Sequence, residues 1–541
     1  MKQLKETIAS AAAAAGADAR NAEGAPAWTM RDGDRLLQLA MTGTLGPAFY
    51  AGAAEVTADA ASLLERAGTA PLAEAIVRGR NEGFVRTFPL LGLAYLSKKD
   101  PALFRETFPK VVLTGGDLGD FLDLAHKLRG FGRAVKGAVR AWLEANATPY
   151  YAQKYRRQLA DAARISRFRG EDPVWAWILA SREGTKGVTA ERVAAAEAAH
   201  PALAARRDFV RAVETGDETR AVRLLMGETI DIDSLGNWSD RFTRGVWRAA
   251  ARRMPAMRFL KSLGKLLREG ALDEDVVREK LSVARLKAAK VFPFRLYAAW
   301  AALEDAPARN APMPPNQPLA EALAAAGMAE AVPAENAFAE ATPSFVRGHL
   351  AATLDDYARA WDWGAFDAGS WVVAPDVSGS MSSRIGNSGT LRYVDVAGMF
   401  AGFFSAGLER VTVLPFNTEV LPYGAGRKAG VFAHVRALSR MVGGGTYLEA
   451  PLDEMLRRDI AADNALFITD SEEWGRGWLG LWKAYRRKHP RARAFLLRLD
   501  PYRTQPFPPG EAEALGIRQI FGWSDAVVDY IRLELERDAP R

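Results

Sequence analysis

The sequence predicts a mainly α, helical-repeat half followed by a doubly wound α/β half. Three observations carry this. Up to about residue 365, apolar residues recur three and four apart, with Pro and Gly between the periodic segments. From Ser370 onward, short apolar runs alternate with helical patterns. The length of 541 residues also exceeds what one compact core usually serves.

In the first half, "RAVKGAVRAWLEA", "PVWAWILAS", "TAERVAAAEAAH" and "VVREKLSVARLKAAKVF" each have the spacing of an amphipathic helix. Many short helices in succession, without strands between them, predict a solenoid-like array, although no fixed repeat period is detectable. Residues 306–345 are rich in Pro and Ala and read as a long loop or insertion. In the second half, "WVVAP", "RVTVLPF", "NALFITD", "RAFLLRL" and "IRQIFG" read as strands. Between and after them, "RYVDVAGMFAGFFSAGL", "APLDEMLRRDI" and "DAVVDYIRLELER" read as helices. That alternation predicts a mostly parallel sheet, in which ligands bind at the carboxyl ends of the strands.

Composition narrows the chemistry. The chain has no cysteine, which excludes disulfides, thiolate metal ligands and a cysteine nucleophile and fits a reducing compartment. The Ala-rich N-terminus is interrupted by charges and reads as a helix or loose tail rather than a signal peptide. No window offers about twenty uninterrupted apolar residues, so no membrane span is expected.

Net charge is +7, and its distribution says more than its total. Between Lys127 and Arg169 the basic residues include Arg129, Arg133, Lys136, Arg140, Lys154, Arg156, Arg157, Arg164 and Arg167, opposed only by Glu144 and Asp161. A second run holds Arg241, Arg244, Arg248 and Arg252, and a third holds Arg258, Lys261 and Lys265, with no acid from Arg241 to Arg268. At helical spacing these form basic stripes, the electrostatic footprint of a polyanion binder. The bland alternative is a solvated helical face. Trp142, Tyr150, Tyr151 and Tyr155 interleave with the first stripe; base stacking and core packing are both open to them.

The stretch "SWVVAPDVSGSMSS" ends a strand in Asp376 and follows it with hydroxyls, Ser378 and Ser380 among them. A turn, a nucleophilic serine and a metal site are the three readings. Two other loops join the third of these: "GGGTYLEAP", with Thr446, and "LFITDSEEW", with Asp470. Asp376, Ser378, Ser380, Thr446 and Asp470 together offer oxygen and no nitrogen or sulfur, which suits a hard divalent cation, Mg²⁺ before Mn²⁺ or Ca²⁺. A serine nucleophile would need a base, and none of the five histidines lies in a triad context.

"DVSGSM", the later threonine and "TDSEEW" resemble the metal-ion-dependent adhesion site of a von Willebrand factor A domain. The first half resembles the TROVE module of the Ro autoantigen family. The resemblance runs through "NAEGAPAWTMRDGDRLLQLAMTGTLGPAFYAG", "TFPKVVLTGGDLGDFL", "GFGRAVKGAVRAWL", "QKYRRQ", "VWRAAARRMPAMRFLKSLGKLLREGAL" and "KVFPFRLYAAW", in the family's order. Two departures stand out: Arg167 occupies a place where the family has a histidine at its RNA-contacting surface, and 306–345 is longer than expected.

The resemblance implies a ring of HEAT-like helical repeats over residues 1–368, joined to a von Willebrand factor A domain over 369–541. It also implies binding of small structured noncoding RNA (Y-like RNA) on a basic outer surface and of single-stranded 3′ ends of misfolded RNA in a central hole. The remaining expectations are RNA quality control or decay, an exoribonuclease as partner, a monomer in the cytoplasm, no DNA specificity and no catalytic activity. The rival reading is a protein-interaction module that grips a partner's carboxylate through the metal. A metal-dependent hydrolase is disfavoured, because one oxygen site lacks a general base or a second ion.

Overall fold

The computed structural model describes residues 17–20, 26–42, 53–182, 185, 188–227, 230–303, 340–367, 369–385, 391–470, 477–499, 504–522 and 527–537. The chain forms two compact units, Met1–Gly92 with Leu354–Arg541, and Leu93–Thr353. The division expected at 368/369 therefore falls inside the first of these, which also takes in the first 92 residues.

The unit Leu93–Thr353 is helical. Its sequence writes the helix ends clearly. Thr114 and Asp117 form a reciprocal capping box at the start of the helix Gly115–Leu128. Asp100 caps Pro101–Val111 through the amides of Ala102 and Leu103, and Thr148 caps Pro149–Ser166 with Pro149 in the first turn. The helix Arg133–Asn146 buries Val135, Ala138, Val139, Trp142 and Leu143 and turns Arg133 and Arg140 to solvent, the amphipathic arrangement its spacing predicts. Gly115 lies so close to Tyr155 that a Cβ there would sit 2.6 Å from the side chain. Gly119 faces Gln158 in turn, so Gly115–Leu128 and Pro149–Ser166 run in parallel. Most of the segment 306–345 lies outside the described residues. Its end does not loop: Glu340 bridges to Asp273, and a helix begins at Pro343.

The other unit holds a five-stranded parallel sheet. Its strands are β3 (Trp371–Pro375), β4 (Val411–Val413), β5 (Asn464–Thr469), β6 (Arg493–Arg498) and β8 (Ile517–Phe521), in the order β4-β3-β5-β6-β8. β3 and β5 are buried along their whole length, as central strands covered on both faces must be. One face packs Trp478, Trp482 and Tyr485 over Phe467 and Leu496. Trp363, Phe366, Trp371 and Phe404 form a second aromatic cluster with ring centroids 5.1–5.7 Å apart.

A three-stranded antiparallel sheet was not expected from the sequence. It consists of β1 (Ala19–Arg20), β2 (Pro26–Thr29) and β7 (Thr504–Gln505) in that order. It ties the start of the chain to its end. Gln38 Nε2 donates to the Gln519 carbonyl at 2.9 Å, bonding the helix Asp32–Thr42 to β8. Among the described residues, no helix is long and apolar enough to cross a membrane.

Candidate functional site

Two groups of residues need separate accounts: the oxygens at the carboxyl end of the parallel sheet, and the basic residues of the helical unit.

Asp376 follows β3, and its backbone is locked between β5 and the chain after β4. Its amide donates to Ile468, and the Val377 amide donates to Phe416. The side chain is fully buried. One carboxylate oxygen accepts from the Ser378 amide at 2.7 Å and the other from the Thr469 hydroxyl at 2.6 Å. Burial pushes the carboxyl up to about 6, against the opposing pull of these hydrogen bonds. Ser378 Oγ lies 3.2 Å from Ser380 Oγ, which donates to Asp470 at 2.9 Å across 90 residues of sequence. Four of the five expected residues thus lie along one chain of contacts.

The fifth residue arrives by its loop. The Gly443 amide donates to Val377 and the Gly379 amide to Gly444, which pins the glycine-rich loop onto the Asp376–Ser380 turn. Gly444 has φ +75, which explains a glycine there. Thr446 follows two residues on and is partly buried. Among the described residues, no hydrogen bond links its hydroxyl to the other four. Only two carboxylates contribute, and no group of three or more acids or histidines placed to hold a metal ion occurs among the described residues. The donor set is hydroxyl and carboxylate oxygen throughout, which fits a hard divalent cation with water in its remaining positions. Thr469, which braces Asp376, was missed in the sequence. Its position directly before Asp470, at a strand end, was the available signal.

The basic residues divide sharply. Arg133, Lys136 and Arg140 share one face of their helix and have no ion-pair partner among the described residues. Arg157, midway along the neighbouring helix Pro149–Ser166, and Arg164 and Arg167, at and just beyond its end, are exposed and equally unpaired among the described residues. Asp161, the one acid on that helix, is taken by Arg182. Arg167 caps the helix in the left-handed conformation, φ 56.

The others are committed to the fold. Arg129 donates to the Ser97 carbonyl. Arg156 donates to the Trp177 carbonyl and lies over the indole at 3.7 Å; burial, then the nearby Arg206, lowers it to about 10. Lys154 pairs with Asp233 at 2.7 Å and bonds Tyr150. Burial works to lower its ammonium, but those two hydrogen bonds outweigh it and raise it.

The second stripe requires a correction. Arg248, expected at the surface, is buried against Asp273; Arg252, expected there too, is partly buried, pairs with the same carboxylate and reaches Asp275 at 2.9 Å. Arg244 bonds the Gly270 carbonyl and faces Glu340 at 3.8 Å, while exposed Arg241 has Glu214 at 3.9 Å. The run lacks acids in sequence, but folding brings them from elsewhere. In the third run, Arg258 faces Asp233 at 3.7 Å and Lys265 faces Asp240 at 3.5 Å, while Lys261 is exposed. Of the aromatics, Trp142 is buried, Tyr151 and Tyr155 are partly buried, and Tyr150 is half exposed.

The crystal structure of the Ro (RSR) protein of Deinococcus radiodurans aligns with 94% of this chain and 100% of its own, at TM-score 0.62 and 17% identity. The fold is the Ro fold. No protein-family model matches the sequence, and no curated protein matches it. At this identity the likeness fixes architecture. The Ro fold here combines the helical array with the α/β domain that carries the oxygen cluster.

Proposed function

We propose that this chain is a non-enzymatic RNA-binding protein of the Ro kind. Its ligands would be small structured noncoding RNA, including Y-like RNA, and the single-stranded 3′ ends of misfolded RNA. The observation that carries this reading is the set of cations left unpaired by the fold: Arg133, Lys136, Arg140, Arg157, Arg164 and Arg167. Exposed cations on two helices that pack together suit a phosphate backbone, which gives affinity without reading sequence. The Ro fold supports the reading. Quality control or decay of RNA in the cytoplasm, with an exoribonuclease as partner, is the role that follows from it.

On the same reading, Asp376, Ser378, Ser380, Thr446 and Asp470 hold Mg²⁺, directly or through water. The ion would supply a positive site able to accept one further carboxylate. The oxygen cluster therefore also favours a second reading, a protein-interaction module, and RNA competition separates the two. A folded RNA with a 3′ single-stranded tail is expected to outcompete both its blunt version and duplex DNA of equal charge. Equal competition by duplex DNA, or binding indifferent to salt, would remove the RNA reading.

A further inference from the structure

Asn417 lies where the chain leaves β4, one residue beyond Phe416. The Phe416 amide donates to the Pro375 carbonyl at 3.1 Å, and its carbonyl accepts from the Val377 amide at 2.8 Å. Phe416 is thus bonded to both chain neighbours of Asp376, and Asn417 is held beside that turn by a single peptide link. Its own backbone and side chain then close a tight local turn. The Asn417 amide donates to the Glu419 carbonyl at 3.0 Å, and Asn417 Oδ1 accepts from the Glu419 amide at 3.3 Å. An asparagine that bonds its own backbone two residues on suits this turn.

The two remaining polar groups of Asn417 reach across to the glycine-rich loop. Its Nδ2 donates to the Gly443 carbonyl at 3.0 Å, and its backbone carbonyl accepts from the Tyr447 amide at 2.8 Å. The side-chain amide cannot be turned over, because the Gly443 carbonyl only accepts and the Glu419 amide only donates. Asn417 therefore holds the loop at residues 443 and 447, with Gly444, Gly445 and Thr446 between the two held points. Gly444 passes so close beneath the side chain that a Cβ there would lie 3.2 Å from Asn417 Nδ2.

We propose that Asn417 is the positioning residue for Thr446: by holding both ends of the loop it keeps the Thr446 hydroxyl at the oxygen cluster and so sets the affinity for a divalent cation. The inference rests on reading that cluster as a cation site. Among the described residues, no hydrogen bond joins the Thr446 hydroxyl to the other four oxygen-bearing residues, so its backbone alone must place it. Two of the three residues between the held points are glycines, which have the most conformational freedom to lose. The bonds from Gly443 to Val377 and from Gly379 to Gly444 fix the near end of the loop. The Tyr447 amide on Asn417 fixes the far end, just past Thr446. Partners that orient a ligand in this way typically account for about 10- to 100-fold in metal affinity.

The test is titration calorimetry of the full chain with Mg²⁺ and with Mn²⁺. Asn417→Ala removes the side-chain bonds and keeps the main-chain bond to Tyr447, and should bind either ion at least about tenfold more weakly than the parent. Thr446→Ala should also bind more weakly. Because Asn417 acts through Thr446, the double variant should bind no more weakly than Thr446→Ala alone, whereas a general loss of packing would weaken binding in both backgrounds. Amide exchange on the unmodified protein gives a readout independent of any variant: Mg²⁺ should slow exchange at Tyr447, since an ion held by Thr446 makes opening of the loop rarer. Three results would overturn the proposal: Asn417→Ala binding both ions as the parent does, the same loss with and without Thr446, or Tyr447 exchange indifferent to Mg²⁺. Failure of the parent itself to take up either ion would instead remove the cation reading, and this inference with it.

Discussion

Replacing Arg133, Lys136 and Arg140 together by alanine tests whether the unpaired cations of the helical unit bind phosphate. The three side chains lie on the solvent face of Arg133–Asn146, opposite Val135, Val139 and Trp142, so their removal leaves the packed face untouched. Each phosphate contact contributes about −0.7 to the slope of log K against log[salt] for single strands and about −0.9 for duplex. If all six unpaired cations engage, the parent slope is about −4 to −5. The triple variant should flatten it by about 2 to 3, removing roughly 20- to 40-fold of salt sensitivity between 50 and 200 mM. Filter binding of one structured RNA at four salt concentrations measures both slopes. An unchanged slope, with circular dichroism showing the helices intact, would refute the assignment of this face to RNA.

Asp273→Ala should behave in the opposite way. It removes the carboxylate that pairs with the buried guanidinium of Arg248 and with Arg252, and should cost the helical unit about 3–5 kcal/mol in urea unfolding while leaving the salt slope of the surviving folded protein unchanged. Asp376→Ala should abolish Mg²⁺ or Mn²⁺ uptake in calorimetry with the helical unit still folded; equal uptake by parent and variant would remove the metal assignment. At Gly407 a Cβ would lie about 2.1 Å from the Trp363 ring, so Gly407→Ala should destabilise the α/β unit by about 1–3 kcal/mol and alter its near-ultraviolet dichroism. Burial lowers the His434 imidazole and keeps it neutral in the fold. The stability this gives is present above the unfolded value of about 6.5 and is lost as pH falls through the lowered one. His434→Gln should therefore flatten the melting temperature between pH 7.5 and 5.5.

The α/β half was largely legible because each buried strand is a short apolar run ended by a turn, and β3, β4, β5, β6 and β8 all fall where such runs predict. The oxygen cluster was legible for a related reason. Asp376 and Asp470 stand directly after buried strands of a parallel sheet, so the topology fixes where they meet. Charge was much less legible. A run without acids looks like an exposed stripe, yet Arg248 and Arg252 meet Asp273, whose place beside them depends on how the helices Arg244–Arg253 and Glu274–Lys280 pack. Helical spacing shows which residues share a face and not what the face meets. β1, β2 and β7 escaped notice because strands of two to four residues carry no readable alternation.

The pairing of β2 with β7 sets a clock for synthesis. Gln38 and Gln519, which bond across the same unit, are 481 positions apart. At about 5–20 residues per second, the early residues wait roughly 25–100 s for their partners to leave the ribosome. During that interval the helix Asp32–Thr42 can already pack on Thr69–Asn81, where Gly79 lies against Ala40, so only its contacts with β8 have to wait. Ribosome stalling before residue 504 would release a product in which β1 and β2 pair with each other but lack the strand that completes their sheet.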